Sequence, residues 1–264
     1  ADDRLSLQGC LSDLISIIVP VYNEGGTIAQ VIRRLLTIDL PAPREIIVVN
    51  DGSRDATRSV LDGLAGSSPA LLIIHASENR GKGAAVRLGL ARTRGTVTAI
   101  QDADLELDPA ELAELVAPVL RGEAAVVYGS RFLSASSHVP RLTRVGNAVL
   151  TTVTNALYGS SLTDMETCYK VIRGDIARQL DLTADRFDIE PEITAKLLLG
   201  GHSIVERPVT FSPRSRAAGK KIACDCVHRG VNPTENLRKL ANEEQLNPEQ
   251  IRRVGEVTNL ESFK

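Results

Sequence analysis

Thr96-Val97-Thr98-Ala99-Ile100-Gln101-Asp102-Ala103-Asp104-Leu105-Glu106 is the stretch from which the fold of this chain is read. An apolar, partly β-branched run ends in clustered carboxylates, which places hard oxygen ligands at the edge of a sheet. Mg²⁺ and Mn²⁺ take such ligands and keep positions open for substrate phosphates. Alternation along an extended segment would put Asp102, Asp104 and Glu106 on one side, as a metal–diphosphate site candidate.

The flanking sequence repeats the pattern of strand, polar turn and helix. Leu14 to Val19 reads as a buried strand, and Ile28, Val31, Ile32, Leu35 and Leu36 follow helix spacing. Ile46 to Val49 is a second strand, with a helix from about 57 to 64. Leu71 to Ile74 is a third, with a helix over 83–93. Thr96 to Ile100 is the fourth. After it, Asp108-Pro109-Ala110-Glu111 reads as an N-cap, a proline at the first helical position and a capping Glu. Leu112, Leu115, Val116 and Val119 form the buried stripe of that helix, and Ala124 to Tyr128 is a fifth strand. This alternation predicts an α/β fold whose mostly parallel central sheet carries helices on both faces.

In such sheets ligands sit beyond the carboxyl ends of the strands. Tyr22-Asn23-Glu24, Asp51-Gly52-Ser53, Glu78-Asn79-Arg80-Gly81-Lys82 and the acidic cluster all fall there. Further on, Arg141 to Leu157 reads as a helix with an exposed basic start. Cys168 to Ile172 reads as a strand, 191–199 as a helix with Pro191 in its first turn, and Ser203 to Val209 as another strand. Residues 212–221 are basic and flexible in character.

Composition narrows the classes of function. At 264 residues the chain can bury a substantial core. A formal net charge of −2 argues against wholesale nucleic-acid binding, and 3% aromatics with no Trp supply few stacking platforms. Cys10, Cys168, Cys224 and Cys226 form no spaced framework, which fits a reducing, cytoplasmic setting. No apolar run approaches the roughly 18 residues that a spanning helix needs. Residues 1–13 read as a polar leader, 14–222 as the folded domain, and 223–264 as a polar tail suited to interaction or oligomerisation. Cys224, Cys226 and His228 lack a fourth zinc ligand at ordinary spacing. Arg80-Gly81-Lys82-Gly83 lacks the spacing of a phosphate loop and reads as a helix entry on the donor side of the cleft.

Ile18-Val19-Pro20-Val21-Tyr22-Asn23-Glu24, Asn50-Asp51-Gly52-Ser53, Asn79-Arg80-Gly81-Lys82-Gly83 and Asp102-Ala103-Asp104, in that order, resemble the family 2 glycosyltransferases with the GT-A fold. Tyr128-Gly129-Ser130-Arg131, Thr163-Asp164-Met165-Glu166-Thr167-Cys168-Tyr169-Lys170, Phe187-Asp188-Ile189-Glu190-Pro191-Glu192, Pro213-Arg214-Ser215-Arg216 and Gly219-Lys220-Lys221 narrow the likeness to the dolichyl or polyprenyl-phosphate mannose and glucose synthases. The resemblance covers roughly residues 14–222.

The resemblance implies a nucleotide-sugar pocket formed by Pro20, Tyr22, Glu24, Val49 and Asp51, with Lys82 on its donor side and the backbone of Ala103 against the nucleotide. It implies Mg²⁺ or Mn²⁺ on Asp102 and Asp104 with Glu106 close by, where the ion acts as a Lewis acid on the departing diphosphate. Arg131 and Arg144 would grip an acceptor phosphate through guanidinium contacts. Arg214 and Lys220 would close over the donor phosphates. The implied reaction is transfer of a hexose from GDP-mannose or UDP-glucose, with inversion, to a polyprenyl phosphate at a membrane surface. Asp104 and Arg131 are then the residues closest to the chemistry. A soluble hydroxyl acceptor is the alternative, with Asp164, Glu166 or Glu190 as the general base it would need. A nucleotide-sugar-binding module without catalysis is the other. Where similar proteins continue into apolar or membrane-spanning helices after Gly-Lys-Lys-Ile, this chain turns polar at Ala223-Cys224-Asp225-Cys226.

Overall fold

The computed structural model describes residues 13–214. Lys220, the leader up to residue 12, the tail 223–264 and the Cys224, Cys226 and His228 group lie outside the described residues.

Seven strands form one sheet: β1 (Ile15–Val21), β2 (Arg44–Asn50), β3 (Leu71–His75), β4 (Val97–Ile100), β5 (Val126–Ser130), β6 (Lys170–Arg173) and β7 (Ile204–Pro208), in the order β3-β2-β1-β4-β6-β5-β7. The pairs β1–β2, β1–β4, β2–β3 and β5–β7 are parallel, while β6 runs antiparallel to both β4 and β5. Six strands therefore end at the same edge, and β6 begins there. All seven residues of β1 are buried, as expected of a strand covered on both faces.

Alternate side chains of each strand serve opposite layers. Ile15, Ile17, Val19, Ile46 and Val48 pack with α1 (Ile28–Thr37), Leu61 of α2 (Thr57–Leu64) and α4 (Leu112–Leu120). Ile47, Val49 and Ala85 of α3 (Lys82–Leu90) pack on the other face. Ile100, Tyr128 and Ile172 do so with α6 (Gly174–Gln179) and α7 (Ile189–Leu199). The helix predicted from Ile28, Val31, Ile32 and Leu35 buries those four residues, each stabilising the fold by about 1.5–3 kcal/mol. Val49, expected in the nucleotide-sugar pocket, is fully buried in this layer, so its side chain belongs to the core.

Pro20 sits in a central strand, where a proline ordinarily breaks the ladder. Its neighbours bond toward β2, since the Val21 carbonyl accepts from the Asp51 amide. The missing N–H thus falls on the β4 side, past the last paired residue of β4, Ile100. Beyond β4, Asp108 caps the following 3₁₀ turn as expected, accepting from the Ala110 amide. Glu111 does not complete a capping box. Both of its oxygens accept from the Thr210 amide, 99 residues away, a partner with no local signature.

Candidate active site

The acidic cluster lies at the carboxyl edge as expected, but it is a turn rather than an extended segment. Leu105 has φ +63°, so the alternation that would align three carboxylates is broken. Asp104 Oδ1 accepts from the Glu106 amide at 3.0 Å, and Glu106 Oε1 accepts from the Arg214 amide at 2.8 Å. Glu106 therefore holds the Arg214 backbone across the cleft, and the turn at Leu105 does not line it up with Asp102 and Asp104 as an extended segment would. Among the described residues no three His, Cys, Asp or Glu side chains converge as a ready-made metal cage. Asp102 and Asp104 remain as two adjacent carboxylates, a number that suits an ion sharing its shell with substrate phosphates.

Their electrostatics differ. Burial raises the Asp102 carboxyl, but the Lys82 ammonium at 2.9 Å and a hydrogen bond from the Cys168 thiol outweigh it and hold the group below the usual carboxylate range. Burial, then the neighbouring Asp102 and Glu106, push Asp104 up to about 7. A cation between these carboxylates would relieve that repulsion, so the donor set fits a divalent ion. Lys82 also contacts Glu190 at 2.8 Å, and Glu190 bonds Lys170, a fully buried lysine whose ammonium further donates to the Met165 and Thr167 carbonyls. Lys170, Glu190, Lys82 and Asp102 thus form an alternating chain of charge reaching the cleft from beneath.

On the nucleotide side, Asp51 is buried and accepts from Asn79 Nδ2 at 2.7 Å, the Gly81 amide at 2.8 Å and the Arg80 amide at 3.0 Å. It shapes the 79–81 turn, and one lone-pair direction remains for a base or ribose donor. Gly52 (φ +62°) and Gly81 (φ +116°) are required here. A Cβ would lie 2.5 Å from the Asn79 amide in the first case and 2.5 Å from the Asp185 carbonyl in the second. The Tyr22–Glu24 loop is knitted to the 53–57 loop through Ser53, Asp55 and Thr57. Glu24 forms a bidentate pair with Arg214 at 2.8 and 3.0 Å. Arg214 also lies 3.6 Å from Asp104, and its Nε is buried with no hydrogen-bond partner among the described residues. The Ala103 carbonyl accepts from Thr27 Oγ1 at 2.8 Å. A separate cavity of about 770 Å³ runs beside α3 and, of the expected donor residues, touches only Asp51.

On the acceptor side, Arg131 is clamped by the fully buried Asp164, which accepts from Nε and Nη2 at 2.7 Å each. Nη1 makes no hydrogen bond among the described residues. The Arg131 guanidinium lies over Phe132 (5.9 Å) and Phe211 (5.5 Å), while Arg144 lies over the same Phe132 ring at 5.6 Å. Arg144 belongs to α5 (Arg141–Tyr158), the helix expected at this point. The helix buries its polar side. Asn147 Oδ1 accepts from the Glu166 amide, Thr151 Oγ1 from the Met165 amide, and Asn155 holds residues 160–162. Val145 and Val149 are instead 60% and 52% exposed. Glu206 of β7 accepts from the Thr163 and Asp164 amides, so the 163–169 loop is fixed from two sides.

Of the three carboxylates that could act as a base, Asp164 is committed to Arg131 and Glu190 to two lysines. Only Glu166 has no donor to its carboxylate among the described residues. Sequence reasoning missed Lys170, Asn147, Thr151 and the Cys168–Asp102 contact. A lone Lys opening the apolar Val171-Ile172 run, and polar residues at helical spacing inside an otherwise apolar helix, were the available signals.

The sequence profile of glycosyl transferase family 2 matches residues 16–180. The low-salt glycan biosynthesis hexosyltransferase Agl6 of Haloferax volcanii is 29% identical over 81% of this chain and 51% of its own length. The polyprenol monophosphomannose synthase of Mycolicibacterium smegmatis is 28% identical over 77% of this chain and 79% of its own. The chain thus spans about half the length of the first relative and most of the second. The glucosyl-3-phosphoglycerate synthase of Mycobacterium tuberculosis, solved with Mn²⁺, UDP and glucosyl-3-phosphoglycerate, superposes with a TM-score of 0.62 at 18% identity, covering 89% of this chain and 81% of that one.

Proposed function

Because the chain belongs to glycosyl transferase family 2 and has the GT-A fold, we propose that it transfers a hexose from a nucleotide sugar, GDP-mannose or UDP-glucose, to a polyprenyl phosphate with inversion at the anomeric carbon. The observation that carries this reading is the pair of guanidiniums, Arg131 and Arg144, sharing the Phe132 ring on the acceptor side of the acidic turn. Two cations converging on one half-buried site suit a phosphate monoester far better than a neutral hydroxyl.

Each residue then has a role with a physical reason. Pro20, Tyr22 and Asp51 border the base and ribose. Asp102 and Asp104 would hold Mg²⁺ or Mn²⁺, which when bound acts as a Lewis acid on the donor diphosphate. Lys82 keeps Asp102 ionised. Arg214 exchanges its Glu24 partner for donor phosphate oxygens, to which its Nε, without a partner among the described residues, can donate, and Lys220 joins it. Arg131, preset by Asp164, holds the acceptor phosphate. That phosphate is largely dianionic near pH 7, its second pKa being about 6, so positioning and charge supply most of the rate without a base. Among the described residues no helix is long and apolar enough to cross a membrane. Under this reading the chain meets its lipid substrate peripherally, from the cytoplasmic side.

The test is isothermal titration with GDP, UDP, GDP-mannose and UDP-glucose, each in Mn²⁺ and in EDTA, followed by transfer from the nucleotide sugar that binds to a detergent-solubilised polyprenyl phosphate. Metal-dependent binding of one nucleotide family and a radiolabelled lipid product are expected. Binding without any lipid product would remove the acceptor from the reading. A folded protein that binds none of the four would remove the transferase as well.

A further inference from the structure

We propose that the Glu166 carboxyl meets the acceptor phosphate beside Arg131 and donates a hydrogen bond to one of its non-attacking oxygens. This inference rests on the polyprenyl-phosphate reading above. The 163–169 loop connects the two halves of the cleft. Asp164 presets Arg131 on the acceptor side, and the Cys168 thiol bonds Asp102 on the donor side. In sequence Glu166 lies midway between them, partly exposed, with its amide fixed by Asn147 of α5 and its carboxyl without a donor among the described residues. It is the one carboxylate of this loop and of its neighbour α7 with no donor among the described residues, since Asp164 and Glu190 are both paired and Glu192 accepts from the Thr183 and Ala184 amides, and the Arg131 guanidinium is among the charges close enough to act on it.

An ionised carboxylate there would repel a phosphate dianion, whereas a carboxylic acid would bind it. The surroundings favour the acid. Burial comes first, followed by Glu190 from α7 and, more weakly, Asp164 from the same loop. Lys170 of β6 and Arg131 after β5 oppose them, and the balance pushes the group up to about 7. Arriving phosphate adds negative charge and strengthens the preference. The transfer itself needs no proton. A phosphate oxygen lone pair forms the bond to the anomeric carbon as the carbon–oxygen bond to the nucleoside diphosphate breaks. That group leaves with the bonding electrons, and the acceptor goes from dianion to monoanionic diester. Glu166 keeps its proton throughout and lends it only as a hydrogen bond.

The pH dependence of kcat/KM for the acceptor tests this, with full-length wild type and the near-isosteric Glu166→Gln, whose amide donates at every pH. Between pH 6.5 and 8.5 the wild type is expected to fall by about tenfold or more as the group ionises. Glu166→Gln is expected to stay flat or rise, and Glu166→Ala to raise the acceptor KM about tenfold at pH 6.5 with nucleotide affinity retained. An alkaline fall retained in Glu166→Gln would overturn the proposal. So would loss of transfer by Glu166→Gln at every pH with nucleotide binding intact, because that behaviour marks a proton-abstracting base. Wild type that makes no lipid product at any pH, even with nucleotide bound, would instead overturn the acceptor assignment on which the proposal stands.

Discussion

Asp104 is a carboxylate in an environment that opposes its charge. Burial acts first, then Asp102 and Glu106, and the result is a group raised to about 7 in the metal-free protein. In the unfolded chain the same group titrates near ~3.9. A folded value above the unfolded one means that the stabilising contribution is fully present below about pH 4 and disappears as pH rises through about 7. Asp104→Asn removes that titration and keeps an oxygen for the Glu106 amide. Without metal, it should melt higher than wild type at pH 8, by on the order of 1 kcal/mol of stability, and match it near pH 4. An equal shift at both pH values in thermal melts would refute the account. The gain comes with a loss of function, since nucleotide binding in Mn²⁺ should weaken at least about tenfold. The roles of individual residues were only partly visible beforehand. Asp102, Asp104 and Arg131 lie just past the carboxyl ends of β4 and β5, as the strand pattern placed them, whereas Glu106 and Glu24 are drawn to Arg214, a partner 108 and 190 residues away respectively.

At the scale of the element, α5 inverts the usual arrangement. Along most of its length the buried stripe is Asn147, Thr151 and Thr154, with Leu157 apolar at the end, and its exposed side carries Val145 and Val149. The reason lies in what it covers. The 160–166 loop has no ladder of its own, and its amides need acceptors that only side chains can supply. Asn147→Ala should therefore cost about 1–3 kcal/mol and loosen the loop that carries Asp164 and Glu166. In steady-state kinetics the acceptor KM should rise while nucleotide affinity by calorimetry stays near wild type. A parallel loss of both would show that the helix supports the whole domain rather than the acceptor half. Val145→Asp, on the exposed side, should change stability by no more than about 0.5 kcal/mol. The span of this helix was legible from its periodicity, but its orientation was not, because hydropathy assigns valines inward by default. The six-residue α6 went unseen because it is too short for a periodic signal.

At the scale of the molecule, the first four strands were legible because each βα unit encodes its own apolar strand, turn and amphipathic helix locally. The second half depends on long-range pairing. Nothing in Lys170-Val171-Ile172-Arg173 announces that it runs against its neighbours and wedges between β4 and β5. That placement sets an order of birth. As the chain is synthesised, β5 emerges before β6, yet it has no strand of the finished sheet to join until β6 has appeared. The first four strands, complete at Ile100, can settle with their helices while β5 still waits and the edge of β4 stays open. A chain cut at residue 165 should resist protease over 14–119 and be cleaved freely beyond 125, as mapped by mass spectrometry of the fragments; uniform digestion would contradict this. The residues proposed to receive the acceptor thus take shape after the first four strands, and the segment that joins β5 to β4 also brings Asp164 to Arg131.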